Sequence, residues 1–400
     1  MEPTTAASRP RLPGSIWALG LVSLFMDTSS ELVHSLLPIL MSSVLGASVA
    51  TIGVIEGIAE ATAAVGKVFS GAISDYVRKR KVLVLLGYGL AAFTKPMFPL
   101  ANTVGWVFAA RFVDRIGKGI RGAPRDALVA DLVPPDMRGA AYGLRQALDS
   151  VGAFAGPLLA VAFMALLADN IRAVLWIAVV PAAICVALIV FGVKEPDDPQ
   201  AAGPRRRLAL SDARRLSLRY WLIVALGAVF TLARFSEAFL ILRAKDVGLA
   251  IGFVPLIMIV MNVVYSAGAY PAGAAADRYS SRWLLVAGLG MLILSDLLLA
   301  AARAPGLAFA GAGCWGLHMA LTQGLFSKLV ADAAPDELRG TAFGVFNLVS
   351  GGALLLASVI AGALWTALGP PATFLAGAGF AALAGVGLAF SRPAAGRAGT

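Results

Sequence analysis

Twelve apolar stretches, each close to the length of chain that crosses a bilayer, constrain this sequence more than any motif in it. They run 15–44, 49–73, 81–102, 105–129, 139–168 and 171–193, then 218–242, 250–275, 283–303, 305–330, 341–367 and 371–391. A helix of about 20 residues spans the hydrocarbon core of a membrane, so the spacing predicts six membrane helices, a polar connection, and six more. Composition agrees. Hydrophobic residues make up 59% of the chain and charged residues 14%, against about 45–50% and about 25% in soluble domains. A chain of this kind has too little polar surface to coat a water-soluble globule. The two cysteines, Cys185 and Cys314, lie in apolar runs, with neither a disulfide framework nor zinc-ligand spacing.

The expected organisation is a six-helix half over 1–193, a solvated linker over 194–217 rich in proline, aspartate and arginine, and a second six-helix half over 218–400. Basic residues orient the spans, because connections rich in lysine and arginine stay on the cytoplasmic side. With the N-terminus inside, that side receives Arg9, Arg11, the run Arg78-Lys79-Arg80-Lys81, Arg138, the linker arginines, Arg278, Arg282, Arg339, Arg392 and Arg397. The opposite side receives Arg172, Arg243, Lys245 and Arg303. Both termini are therefore expected in the cytoplasm, and the net charge of +10 is accounted for by topology, with no nucleic-acid partner implied. The first apolar run has no small-residue cleavage site and contains Asp27 and Glu31, so it reads as a retained span. The expected location is the inner (plasma) membrane, as a multi-pass protein.

The halves repeat each other. Ala130-Asp131, Pro134, Arg138-Gly139, Ala141 and Gly143 recur as Ala331-Asp332, Pro335, Arg339-Gly340, Ala342 and Gly344, and Gly71-x-x-x-Asp75 recurs as Gly273-x-x-x-Asp277. Parallel repeats of this kind occur in secondary transporters, whose halves rock about a site near the bilayer midplane.

Gly71-Ala72-Ile73-Ser74-Asp75-Tyr76-Val77-Arg78-Lys79-Arg80 resembles the signature that the major facilitator superfamily carries between its second and third helices, and Gly273 to Arg282 is its second copy. The arginine usual after the aspartate is Tyr76 in the first copy and Arg278 in the second. The resemblance extends over essentially the whole chain. It implies an all-α fold of twelve transmembrane helices in two parallel repeats, with Gly71, Asp75, Arg78, Gly273, Asp277 and Arg278 as a conformational latch. Arg111-Phe112-Val113-Asp114-Arg115-Ile116-Gly117 is similar to the fourth-helix signature, with Arg115 where glycine is usual. Gly143, Gly152, Gly156 and Pro157 have the spacing of the fifth-helix motif of proton-exchanging exporters, with Ala160-Val161 in place of its terminal glycine pair.

Ionisable groups near the bilayer centre cost about 2.5–3.5 kcal/mol each, so they must find partners or a wet cavity. The first span carries Asp27, Glu31 and His34 on one face, and the second carries Glu56 and Glu60 at similar depth. The fourth carries Arg111, Lys118 and Arg125 in a stripe, with Asp114, Arg115 and Arg121 beside it. Lys95, Asp149, Arg234, Glu237, Asp296 and His318 complete the intramembrane set. The resemblance places the first, fourth, seventh and tenth helices around the cavity. It thereby favours Arg111, Arg115, Lys118, Arg234, His318 and the deep Trp315 for substrate, and Asp27 and Glu31 for coupled protons. Glu56 and Glu60 join the proton candidates by their similar depth. The alternative is that these acids and bases are internal ion pairs holding the bundle together, and for Arg121, Arg125 and Asp126 that reading is preferred. Gly117-x-Gly119-x-x-Gly122 matches a dinucleotide fingerprint, but no strand precedes it. There is no P-loop.

These features predict a monomeric, cofactor-free secondary transporter whose partners are a small-molecule substrate, protons and lipid. It is read as a proton-coupled exporter of an anionic or zwitterionic organic solute. A proton-coupled importer of an organic anion is the alternative. Divalent-cation transport through Asp27, Glu31 and His34 is a minor reading, although no metal site is assigned. A membrane receptor or enzyme is disfavoured by the scarcity of histidine and cysteine.

Overall fold

A computed structural model of the chain describes residues 12–77, 79–195, 210–322, 325–335 and 338–390, which are helical with no strand among them. The helices of the first half are α1 (Gly14–Ile39), α2 (Val49–Val77), α3 (Arg80–Thr94), α4 (Val104–Asp131), α5 (Arg138–Leu166) and α6 (Ile171–Ile177 and Val179–Gly192). Those of the second are α7 (Leu218–Leu232 and Ala238–Asp246), α8 (Leu256–Arg278), α9 (Ser281–Ala301), α10 (Pro305–Thr322 and Leu325–Ala333), α11 (Arg339–Leu368) and α12 (Pro370–Phe390). They fall on the twelve apolar stretches in order. Among the described residues, nine are by themselves long and apolar enough to cross a membrane. Of the others, α4 has its apolar pattern interrupted by charge and α7 is broken. Trp106, Trp176, Trp221 and Trp283, all near span ends, are exposed on the outer surface, as an interfacial aromatic belt requires.

Packing repeats with the sequence. In the first half α4 lies against α2 and α3, α1 against α5 and α6, and α3 against α6. In the second, α10 lies against α8 and α9, α7 against α11 and α12, and α9 against α12. The halves meet through α2 on α11 and α5 on α8, which are equivalent pairs exchanged by the repeat.

The core shows at which end the halves are closed. One buried cluster joins Leu36, Leu37 and Phe98 of the first half to Phe239, Met258 and Trp315 of the second. These residues join the halves toward the start of α2, where the Ala50 N–H donates to Thr366 Oγ1 at 3.1 Å and Lys245 donates to Ser42 Oγ at 3.3 Å. At the opposite end, the basic end, each half has a core of its own: Ile16, Leu19, Tyr88 and Leu128 in the first, and Tyr220, Val224 and Val330 in the second. The two halves are thus sealed at one end and parted at the other.

The glycines read as a dinucleotide fingerprint are packing contacts. A Cβ built on Gly119 would stand 2.8 Å from Gly66 Cα of α2, and one on Gly117 would stand 3.2 Å from Ala91 N of α3. Small residues let neighbouring helix backbones approach closely, which clamps α4 between α2 and α3.

The expectation of an unbroken seventh span over 218–242 is corrected. Helix α7 stops at Leu232 and resumes at Ala238. Backbone groups freed inside a bilayer must find protein partners. Here the Ser236 N–H donates to Ser358 Oγ at 3.2 Å, and the Ala238 N–H donates to Ser236 Oγ at 3.3 Å. Residues 196–209 of the expected linker, the Arg78 backbone and side chain, and the side chains of Asp75, Asp277 and Arg278 lie outside the described residues.

Candidate functional site

A cavity of about 650 Å³ lies between the halves. Its first-half wall is built on α1, whose Asp27 and Glu31 face inward one helical turn apart. Helix α5 seats that turn. A Cβ on Gly152 would stand 3.0 Å from Asp27 Cβ, and one on Gly156 would stand 2.8 Å from Glu31 Cβ and 2.7 Å from Thr28 O. The glycine-spaced motif of α5 is therefore the surface against which the two carboxylates are set. Gly143, the first member of the motif, has nothing within 4 Å of the same built atom, and Pro157 is buried beside Gly156.

Most of the intramembrane charges divide into two groups. Asp296 of α9 belongs to neither, being fully buried, off the cavity wall and without a hydrogen-bond partner for either carboxylate oxygen among the described residues. The first group is paired. Arg111 donates to Glu56 at 2.8 Å, Arg115 meets Glu60 at 2.9 Å, and Lys95 donates to Asp114 at 2.9 Å and to Ser30 Oγ at 3.1 Å. Nearer the basic end, Arg145 donates to Asp149 at 2.8 Å, and Arg125 donates to Asp126 at 3.2 Å, with Ser23 and Tyr88 as further acceptors. Of the charges named for substrate, Arg111 and Arg115 belong to this group and lie off the wall of the large cavity.

The second group faces the cavity without an opposite charge in contact. Lys118 and Lys67 line it, their side-chain ammonium groups without a hydrogen bond or ion pair among the described residues. Arg121 lines it with its guanidinium carbon 4.4 Å from the centre of the Tyr88 ring, and forms no ion pair among the described residues. Among those residues Asp27 is the one carboxylate of the wall in the same condition. Glu31 has only His34, at 3.5 Å. Lys67 did not stand out in the sequence, because a single lysine toward the end of an apolar run resembles an interfacial anchor.

His34 joins the groups. Its Nδ1 faces Glu31 and its Nε2 lies 3.9 Å from Glu56, and that Nε2 has no hydrogen-bond partner. A second void of about 20 Å³ lies among Ser30, His34, Arg111 and Asp114, and shares Asp27, Glu31 and Lys118 with the large cavity. That is room for about one water molecule. Among the described residues no cluster of three histidine, cysteine or acidic side chains can hold a metal ion.

The second half contributes a different surface. Arg234 stands at the break of α7, 3.8 Å from Glu237, and lines the cavity with Phe230, Phe326 and Phe346. Trp315 and His318 are placed behind this wall. Trp315 is fully buried, its ring centre 5.4 Å from that of Phe235. His318 stacks on Phe230 at 5.3 Å with its Nδ1 on Gly288 O at 2.8 Å. That arrangement gives Cys314 and His318 no orienting acid. The three phenylalanines carry no periodic or motif signal that separates them from lipid-facing aromatics in sequence.

The Major Facilitator Superfamily model matches this chain twice, over residues 19–243 and 231–399. An uncharacterized MFS-type transporter of Methanocaldococcus jannaschii is 33% identical over 390 residues, covering 95% of each chain. An uncharacterized protein of Mycobacterium bovis is 27% identical over 350 residues, covering 85% of this chain and 84% of the other. Among solved structures, the nucleoside transporter NupG superposes with a TM-score of 0.74 at 16% identity, over 94% of this chain and 98% of that one. A bacterial homolog of the human lysosomal transporter Spinster, inward-facing and unoccupied, gives 0.76 at 15%, over 96% and 97%. Two matched repeats over nearly the whole length, folded as two exchanged six-helix halves around one cavity, have a single reading: the chain belongs to the Major Facilitator Superfamily.

Proposed function

We propose that this protein is a proton-coupled exporter of an anionic or zwitterionic organic solute, working by alternating access. One observation carries the reading: an unpaired carboxylate, Asp27, and an unpaired cation, Lys118, face the same cavity between the two repeats. Elsewhere in the bundle the acids and bases named for the site are matched in pairs, and unmatched charge is costly at this depth. On this reading Asp27 and Lys118 are retained because each has an exchangeable partner, a proton for the one and the cargo for the other. Asp27 and Glu31 are assigned the coupled proton, with Glu56 and Glu60 behind them in the paired network. Lys118 and Arg234 are assigned the anionic group of the cargo. Arg111 and Arg115 hold Glu56 and Glu60 in place, Trp315 and His318 support the opposite wall, and the Asp75 and Asp277 segments are assigned to switching at the basic end. Export is supported by the seating of Asp27 and Glu31 on the glycines of α5. With the basic end in the cytoplasm of a plasma-membrane protein, the cavity receives cargo from inside.

The test is purified protein in proteoliposomes with an imposed pH gradient, scored for proton movement and for flux of organic anions. Flux that dissipates the gradient in the opposite direction to the cargo supports exchange. Protons and cargo moving together would instead establish the importer, and flux indifferent to the gradient would remove proton coupling.

A further inference from the structure

The two walls of the cavity differ in kind. Among the described residues, ten ionisable side chains line it, nine from the first half and one, Arg234, from the second. The second half supplies instead a linked set of rings. Phe230 and Phe326 meet edge-on at 4.9 Å between centres, and Phe326 and Phe346 lie 6.0 Å apart with planes inclined by only 25°. Phe230 is additionally backed by the His318 imidazole, stacked at 24°. Gly227 backs two of the rings: a Cβ there would stand 2.6 Å from Phe346 Cε2 and 3.6 Å from Phe326 Cδ1, so any larger residue displaces Phe346. Phe326 and Phe346 are only partly buried, although apolar surface facing a wet, charged cleft gains nothing from water.

Among the described residues, the ten ionisable side chains of the cavity are five acids and five bases. Lys67, Lys118 and Arg121 have no carboxylate in contact, whereas the acids without a lysine or arginine in contact are Asp27 and Glu31, so the cations left free outnumber the carboxylates by one. An oxyanion held there places the rest of the molecule against the phenylalanines. Offset or edge-on ring contacts contribute beyond buried area, and site cavities combine an apolar lining with a few placed polar groups.

We infer that the cargo is an organic anion bearing a planar ring system, its oxyanion held by Lys118 on the first half and its ring by Phe230, Phe326 and Phe346 on the second. This rests on the anion reading above and adds the ring. Such a molecule bridges the halves, so its binding bears directly on their relative position.

Calorimetric titration of the purified protein in lipid nanodiscs, against empty nanodiscs, tests it with three probes: 2-naphthoate, acetate and 2-naphthylmethylammonium. The expected result is 2-naphthoate binding at least tenfold more tightly than acetate. Phe346→Leu and Gly227→Ala should each reduce that advantage to threefold or less with acetate binding unchanged, and Lys118→Gln should weaken both anions alike. Melting temperature in detergent identifies variants that fold, and Phe326→Leu replaces either that does not. The inference is overturned if 2-naphthoate has no advantage over acetate, if neither anion binds at millimolar concentration, or if the ring variants weaken both anions equally. Equal binding of 2-naphthylmethylammonium and 2-naphthoate has a different meaning. It would remove the anion from the proposed function while leaving the aromatic wall as the recognition surface.

Discussion

Gly156 and Glu31 are in contact across the α5–α1 interface so closely that a Cβ on the glycine would stand 2.8 Å from the glutamate's own Cβ. A packing motif on one helix and an intramembrane carboxylate on another are therefore a single structural unit. The missing side chain at 156 lets the α1 backbone approach, and that approach fixes where the Glu31 side chain leaves the helix and enters the cavity.

Gly156→Ala is accordingly expected to destabilise the protein by about 1–3 kcal/mol through overpacking and to depress gradient-driven transport. Gly143→Ala, in the same motif but with open space around it, should be neutral in both. Thermal melting in detergent and proteoliposome flux check the pair. Equal effects at the two positions would detach the motif from the setting of α1.

Asp27→Asn and Glu31→Gln are expected to abolish gradient-driven transport while sparing counterflow, because counterflow exchanges cargo without net proton movement. The readout is labelled-substrate exchange beside pH-driven flux in one preparation. Full gradient-driven transport by both variants would take the coupled proton away from α1.

The α4 cations should separate by pairing. Removing Arg111 strands Glu56, whose side chain is fully buried, and breaking such a pair costs about 3–5 kcal/mol. Arg111→Gln should therefore lower the melting temperature, and adding Glu56→Gln should restore it. Lys118→Gln, which strands nothing, should melt like the native protein and lose anion binding. Rescue of Lys118→Gln by removal of a neighbouring acid would show that Lys118 is structural.

Ser358→Ala is expected to cost about 1–3 kcal/mol, the penalty for leaving the Ser236 N–H without its acceptor. Ser358→Thr keeps the hydroxyl and should retain most of the stability. Detergent melting curves decide. A native-like Ser358→Ala would mean that the break in α7 is satisfied by another group.

Much of this could be read in the chain without its fold. The number and order of the helices, the duplication, and the depth of Asp27, Glu31, Arg111 and Lys118 follow from apolar run length and helical spacing, since a bilayer admits few ways to satisfy a backbone. The sequence also held both readings of the α4 stripe, spectator pairs or binding charge, without dividing the residues between them. That division is tertiary. Arg111 and Arg115 meet Glu56 and Glu60 because Gly119 brings α4 onto α2, whereas Lys118 turns to the cavity. The break in α7 was equally hidden, because Ala233–Glu237 contains neither proline nor glycine and one of its freed N–H groups is satisfied by a serine on α11, 122 residues away. So was the phenylalanine wall, whose rings come from three helices. Local patterns report burial and depth, which depend on a residue's own neighbours in the chain. Pairing and cavity lining depend on which helix lies opposite, and only the packed halves decide that.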